Sequence, residues 1–111
     1  MVTPAPHAPP TPQVPTDKTS DDLAVLRVHI DAVDRELLAA LNRRAALATR
    51  VGEVKRRDGS PVFRPEREAQ VIAGLEAANS GPLMRESVGP IWREIMSACR
   101  AVEASSRIAF L

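Results

Sequence analysis

The chain has 111 residues, of which 44% are hydrophobic and 26% charged, so its composition is that of an ordinary globular protein of one-domain size. Its net charge of +1 and its 3% aromatic content argue against a nucleic acid partner, because they provide neither a basic field nor a stacking platform. The single cysteine, Cys99, excludes an intrachain disulfide and suits the cytoplasm, where we expect the protein to act.

Residues 1–20 are rich in proline, holding six of the ten prolines, and lack the apolar run of a signal peptide. We predict that they form a disordered tail in front of one domain over residues 21–105. The sequence nowhere has the roughly 18 to 20 consecutive apolar residues that a membrane span requires, so no membrane partner is expected.

The first predicted helix carries an apolar stripe, on which apolar residues recur in alternating steps of three and four. The stripe consists of Leu23, Leu26, Ile30, Val33, Leu37, Ala40, Leu47, Val51 and Val54. Thr19 or Ser20 is expected to cap the helix, with Asp21 and Asp22 in its first turn, and residues 58–61 to end it. The sequence thus predicts one helix of about 36 residues, roughly 54 Å long.

A helix of that length is too long for one small domain, since a compact domain of about 90 residues has a diameter near 30 Å. The apolar stripe must therefore continue onto a partner. Pairing of the first helices in a homodimer is the simplest closed arrangement.

Two shorter helices are predicted after the first. Pro65 suits the first turn of a helix from Glu66 to about Asn79, and a third helix follows from about Leu83 to Ala104. Pro90 predicts either a kink in the third helix or a start near Ser87. Because no segment alternates with period two, the expected fold is all-α, a three-helix protomer with one long first helix.

Two cations lie on the apolar face of the first helix. Arg44 occupies a position of the stripe, and Lys55 lies about 20° around the helix from it. Unpaired buried cations cost several kcal/mol each, so an anion should sit between them. Glu68 and Glu103 on the other helices could supply it, and a structural salt-bridge cluster and a ligand site are then equally good interpretations.

Arg27 faces about 100° away from Arg44 around the helix, so it cannot join that cluster in its own protomer. Across an antiparallel dimer it could enter the partner's site. His7 and His29 are isolated, so neither a metal nor a cofactor is expected, and no serine has the partners of a hydrolase. Charged groups without a nucleophile fit a reaction that needs only binding and electrostatic stabilisation.

Short motifs on all three predicted helices carry a resemblance to a known family. They are Leu26-Arg27, Ile30-Asp31-Ala32-Val33-Asp34, Leu37-Leu38, Asn42-Arg43-Arg44, Val51-Gly52 and Lys55, then Phe63-Arg64-Pro65-Glu66-Arg67-Glu68, and finally Gly81-Pro82 with Ile91-Trp92-Arg93-Glu94-Ile95-Met96-Ser97. Over about residues 22–104 the chain resembles the all-helical chorismate mutases. The resemblance implies an intertwined homodimer that isomerises chorismate to prephenate, in phenylalanine and tyrosine biosynthesis, without a cofactor.

By position, the resemblance implies that Arg44 binds a substrate carboxylate and that the partner's Arg27 helps to bind the carboxylates. Lys55 would donate to a carboxylate and to the ether oxygen. The rearrangement is unimolecular, so holding both carboxylates folds the enolpyruvyl chain over the ring, and donors at the ether oxygen stabilise the charge that develops there.

Four further site residues are implied in the same way. Glu68 would accept from the ring hydroxyl, Arg67 would be a supporting cation, and Cys99 would contact substrate at a position where serine is common. Glu103 would lie beside the ether oxygen, where a glutamine is common, and it must carry a proton to donate as that glutamine does. Arg64 stands where an aspartate is common.

The last residues, Arg107-Ile108-Ala109-Phe110-Leu111, resemble the opening strand of the prephenate dehydratase domain that follows the mutase in many bifunctional proteins. We therefore expect residues 106–111 to begin such a domain and the chain to be a fragment of the fused protein. Three alternative functions stay open: a non-catalytic helical dimerisation module, an isochorismate pyruvate lyase on the same scaffold, and a basic coiled-coil nucleic-acid binder, which the balanced charge makes least favourable.

Overall fold

The computed structural model describes residues 22–61 and 64–109, with side chains as far as Ser105. Its element order is α1 (Leu23–Asp58), α2 (Pro65–Ala78) and α3 (Arg85–Ala109), and the described residues contain no strand. The all-α prediction is confirmed. The predicted tail over residues 1–20 and the two proposed caps, Thr19 and Ser20, lie outside the described residues. None of the described helices is both long and apolar enough to cross a membrane.

The start of α1 is capped by Asp22. Its Oδ1 accepts a hydrogen bond of 2.9 Å from the Ala24 N–H, and its carbonyl accepts one of 3.0 Å from the Leu26 N–H. The expectation that Asp22 lies in the first helical turn was therefore wrong. A short carboxylate directly before the helix satisfies an otherwise unpaired N–H, which makes Asp22 itself the cap.

The end of α1 lies where the glycine predicts it. The Ser60 N–H donates to the Lys55 carbonyl at 2.9 Å, and the Gly59 N–H donates to the Arg56 carbonyl at 3.4 Å. Gly59 has a φ of +75°, a conformation that side chains with a Cβ rarely adopt. This pattern is the Schellman motif, which pairs the last carbonyls of a helix.

Helix α2 begins with Pro65, whose missing N–H costs nothing at the first helical position. After α2, the side chain of Asn79 holds the turn into α3. Its Nδ2 donates to the Leu83 carbonyl at 2.8 Å, and its Oδ1 accepts from the Gly81 N–H at 3.0 Å.

Helix α3 differs from its prediction at both ends. It begins at Arg85, between the predicted start near Leu83 and the alternative start near Ser87, and Pro90 lies inside its second turn. At the other end α3 continues to Ala109, so the expected strand from Arg107 was wrong over residues 107–109; Phe110 and Leu111 are outside the described residues. An isolated strand leaves its backbone N–H and C=O groups unpaired, whereas a continued helix pairs them within the segment.

The chain divides into two compact units, Met1–Ala40 and Leu41–Leu111. The described part of the first unit is the N-terminal portion of α1, where stripe residues such as Leu23, Ile30 and Leu37 are more than half exposed. The second unit holds the rest of α1 with α2 and α3. Its buried hydrophobic residues are Val88, Met96 and Cys99, and Glu103 is buried with them.

Candidate active site

A cavity of about 560 Å³ opens within the Leu41–Leu111 unit, between the C-terminal portion of α1 and helices α2 and α3. Its charged lining residues are Arg44, Lys55, Arg64, Arg67, Glu68, Arg100 and Glu103, and its other lining residues are Leu47, Ala48, Val51, Gly52, Val71, Met96, Cys99 and Ala104. The charged groups therefore surround a mainly apolar wall.

Helical spacing explains why these side chains share one cavity. On α1, Arg44, Ala48, Val51 and Lys55 follow one another in steps of three and four and thus lie on one face. On α3, the face formed by Met96, Cys99, Arg100 and Glu103 has the same spacing and the largest amphipathic contrast of the chain, which buries three of the four. Arg64 lies directly before α2, at its N-cap position.

Six of the seven predicted site residues line this cavity: Arg44, Lys55, Arg67, Glu68, Cys99 and Glu103. The seventh, Arg27, is an exposed residue of the Met1–Ala40 unit and is not among the lining residues. The structure thus brings together what the sequence placed on three separate helices. The roles of these residues toward a substrate stay predictions.

Arg44 is oriented by the buried thiol of α3. Its Nη1 donates to Cys99 Sγ at 3.3 Å, and Arg44 itself is half-buried. A thiol is a weak, uncharged acceptor, so it fixes the direction of the guanidinium without neutralising its charge.

Glu103 is held against α1 by a cation that sequence reasoning missed. Arg56 Nη1 donates to Glu103 Oε1 at 2.7 Å, and the carboxylate packs so closely on Gly52 that a Cβ built there would lie 2.4 Å from Oε1. Only glycine allows that approach. The available signal was the spacing of Gly52 and Arg56, which lie four residues apart on one face of α1.

Glu68 also has an arginine partner that was not predicted. Arg100 Nη1 on α3 forms an ion pair with Glu68 Oε2 on α2. Its position next to Cys99 and three residues before Glu103 was the signal that could have identified it. This ion pair connects α2 to α3 at the cavity.

The charge balance of the cavity is positive. Five cationic side chains and two carboxylates line it, and the two carboxylates are paired with Arg100 and Arg56. Within the described part of the chain, no ion pair joins Arg44, Lys55 or Arg67 to a carboxylate. The two acidic residues therefore do not neutralise the stripe cations, as a purely structural cluster would require, and the arrangement favours binding of an anion.

Glu66, at the entrance of α2, lies outside the cavity lining. Its pKa is lowered, chiefly because the carboxylate accepts a backbone N–H of its own residue, and further because Arg64 Nε donates to it at 2.9 Å. The pair tethers Arg64 at the helix start. Among the described residues, no group of three or more metal-ligating side chains is clustered.

Known proteins resemble this chain in sequence and in fold. Residues 26–104 match the family described as chorismate mutase type II. The chain is 44% identical over 95 residues to a bifunctional chorismate mutase/prephenate dehydratase of Neisseria gonorrhoeae, covering 85% of this chain and 26% of that protein. It is also 44% identical over 96 residues to the protein of the same name from Pseudomonas aeruginosa, with 82% and 26% covered.

A solved structure of chorismate mutase from Thermus thermophilus has the same fold. It superposes with a TM-score of 0.72 and is 32% identical, and the match covers 76% of this chain and 96% of that one. The chain thus spans about a quarter of the length of its bifunctional relatives and nearly all of this mutase. The family match, the relatives and the fold agree, and the chain belongs to the chorismate mutase type II family.

Proposed function

We propose that this chain is a chorismate mutase, an isomerase that converts chorismate to prephenate. The observation that carries the proposal is the excess of three positive charges in a mainly apolar cavity whose two carboxylates already have arginine partners. Chorismate carries two carboxylates on an apolar ring, so it matches both the charge and the lining.

The reaction requires positioning and charge stabilisation, without a covalent catalyst. Arg44 would bind one carboxylate, and Lys55 would donate to a carboxylate and to the ether oxygen whose C–O bond breaks. Glu68 would accept from the ring hydroxyl, and Arg67 would add positive charge. Fixing both carboxylates brings the carbons that join within reach, and donors at the ether oxygen meet the negative charge that grows there.

The site would be completed in an intertwined homodimer, with Arg27 supplied by the partner chain. The exposed stripe supports this proposal, because Ile30, Val33 and Leu37 are 58%, 44% and 53% exposed in the single chain. Apolar side chains repeated at this spacing are typical of paired helices.

The names of the relatives support a wider proposal: the chain is the mutase part of a bifunctional protein that also contains a prephenate dehydratase. Its product would then serve phenylalanine and tyrosine biosynthesis. We place this activity in the cytoplasm, which suits the free thiol of Cys99.

The test is a direct assay of the purified chain for loss of chorismate and formation of prephenate, with isochorismate as a second substrate. Arg44→Ala should lower kcat/KM roughly 100- to 1000-fold, the usual effect of losing one preorganised charged donor. Arg43→Ala is the matched control, because Arg43 is exposed and lies next to Arg44 outside the cavity lining. Turnover of isochorismate alone, or equal activity in the two variants, would contradict the proposal.

A further inference from the structure

The ion pair between Arg100 and Glu68 lies at the cavity and joins α3 to α2. Both residues line the cavity, and their side chains are 44% and 26% exposed. Arg100 Nη1 donates to Glu68 Oε2, whereas none of the described residues donates a hydrogen bond to Glu68 Oε1. One carboxylate oxygen is thus held by a cation, and the other is left for a molecule in the cavity.

This pairing changes which groups Glu68 can attract. An unpaired carboxylate attracts an ammonium by its charge, and it also accepts a hydrogen bond from a neutral hydroxyl. With Arg100 on Oε2 the negative charge is already matched, so an ammonium at Oε1 gains little from the carboxylate and is repelled by the guanidinium. A hydroxyl has no net charge to be repelled and needs only a free lone pair on Oε1.

The other charged groups that line the cavity do not replace Arg100 at Glu68. They are Arg44, Lys55, Arg64, Arg67 and Glu103, the last of which is paired with Arg56. Over the described part of the chain, none of these four cations forms an ion pair with Glu68. Arg100 is therefore the cation whose removal would leave the Glu68 carboxylate with an unmatched charge in the cavity.

We infer that Arg100 is a specificity-determining residue, whose ion pair with Glu68 makes the site select a hydroxyl over an ammonium on the substrate ring. This inference rests on the proposed function, in which Glu68 accepts from the ring hydroxyl. Arg100 reaches Glu68, in the first turn of α2, from the position on α3 that follows the buried Cys99. A neutral residue in place of Arg100 would leave the same cavity with a carboxylate that attracts an amine.

The experiment measures kcat/KM for two substrates at about pH 6. One is chorismate, and the other is its analogue with an amino group in place of the ring hydroxyl, which is an ammonium at that pH. The wild type should prefer chorismate. Arg100→Gln should shift the ratio of the two kcat/KM values about 10-fold toward the amine, the size expected for one close, partly exposed charge.

Two matched variants control for charge and for position. Arg100→Lys keeps the positive charge beside Glu68, so its ratio should stay near that of the wild type. Arg93→Gln removes an exposed charge from α3 outside the cavity lining, and its ratio should not change. Should Arg100→Gln fold poorly, Arg100→Met removes the charge and keeps a long side chain.

Glu68→Gln should shift the ratio in the opposite direction. The amide oxygen still accepts from a hydroxyl, but the negative charge is gone and the positive charge of Arg100 stays, so the preference for chorismate should increase. The shifts in Arg100→Gln and Glu68→Gln should both become smaller in about 1 M salt, where the Debye length is about 3 Å. A purely structural role of Arg100 would instead lower the activity with both substrates equally at every salt concentration.

An unchanged ratio in Arg100→Gln, or an equal loss with both substrates, would overturn the inference. If chorismate is consumed and the ratio does not move, the inference alone fails. If chorismate is not consumed, the Kd values of the two compounds are measured by calorimetry: a ratio that Arg100→Gln shifts toward the amine means that the proposed function fails and the inference stands. If neither compound binds, both fail.

Discussion

The two portions of α1 share one spacing of apolar residues and differ in the charges on that spacing. In the Met1–Ala40 unit the described stripe is wholly apolar and mostly exposed. In the Leu41–Leu111 unit the apolar face of α1 carries Arg44 and Lys55, and it forms one wall of a cavity. An unbroken apolar stripe indicates a protein partner, whereas a stripe interrupted by cations indicates an anionic small molecule.

The largest expected effect comes from placing a charge on the apolar stripe of the Met1–Ala40 unit. Leu37→Lys places a charge on the stripe and should dissociate the proposed dimer, with loss of nearly all activity, because a desolvated ammonium costs several kcal/mol. Val28→Lys is the matched control: Val28 is 64% exposed and lies on the opposite face of α1. Sedimentation at micromolar concentration should show a monomer for Leu37→Lys only. A wild-type chain that is itself a stable, folded monomer would remove the shared-site proposal.

A smaller effect is expected in the cavity portion, from Gly52→Ala. The new Cβ would lie 2.4 Å from Glu103 Oε1, so the carboxylate must move and its bond with Arg56 is lost. Because the displaced group is the end of a flexible side chain, stability should change little while kcat falls about 10- to 100-fold. Gly74→Ala, where nothing lies within 4 Å of the Cβ, should raise stability by about 0.5–1 kcal/mol and leave kcat unchanged. Equal activity of both variants would contradict the assigned place of Glu103.

The smallest expected effect concerns Glu66, which lies on α2 and thus outside both portions of α1. Its pKa is lowered in the folded chain, so the carboxylate stabilises the fold above its ordinary value of 4.5, and this contribution is lost as pH falls through the lowered value. Glu66→Gln should therefore lower Tm slightly at about pH 7 in low salt and have no effect in strong acid. Thermal unfolding at both pH values, with Glu94→Gln as the control for an exposed carboxylate, checks this. A loss of Tm in Glu66→Gln that becomes larger in acid would contradict this prediction.

The sequence predicted the three helices because apolar residues recur in each with a period near 3.6 residues. Gly59 marks the end of α1 and Pro65 the start of α2. Prediction from the sequence failed where a local choice depends on the surroundings. Asp22 and its neighbours Thr19, Ser20 and Asp21 are all suitable caps, and periodicity does not select among them. The strand expected from Arg107 rested on a resemblance to a segment in another context, and here the backbone continues as helix to Ala109.

For the candidate site, the sequence predicted residues that line the cavity and missed the arginine partners of its two carboxylates. Spacing places Cα atoms around a helix, which was sufficient to put Arg44 and Lys55 on one face of α1. Glu68 and Glu103 line the same cavity from α2 and α3. Spacing does not say which of several long arginine side chains reaches a given carboxylate. Arg56 and Arg100, which pair with those two acidic residues, were missed for this reason.

The central claim is that one active site combines the cavity of one chain with Arg27 of its partner. Arg27→Ala and Arg44→Ala should each be nearly inactive alone. When the two variants are mixed, unfolded and refolded together, half of the chains should pair as heterodimers, in which one site has both arginines and the other has neither, so each heterodimer recovers about half of the wild-type activity. If heterodimers form and no activity returns, the two arginines serve the same chain's site and the shared-site account is wrong.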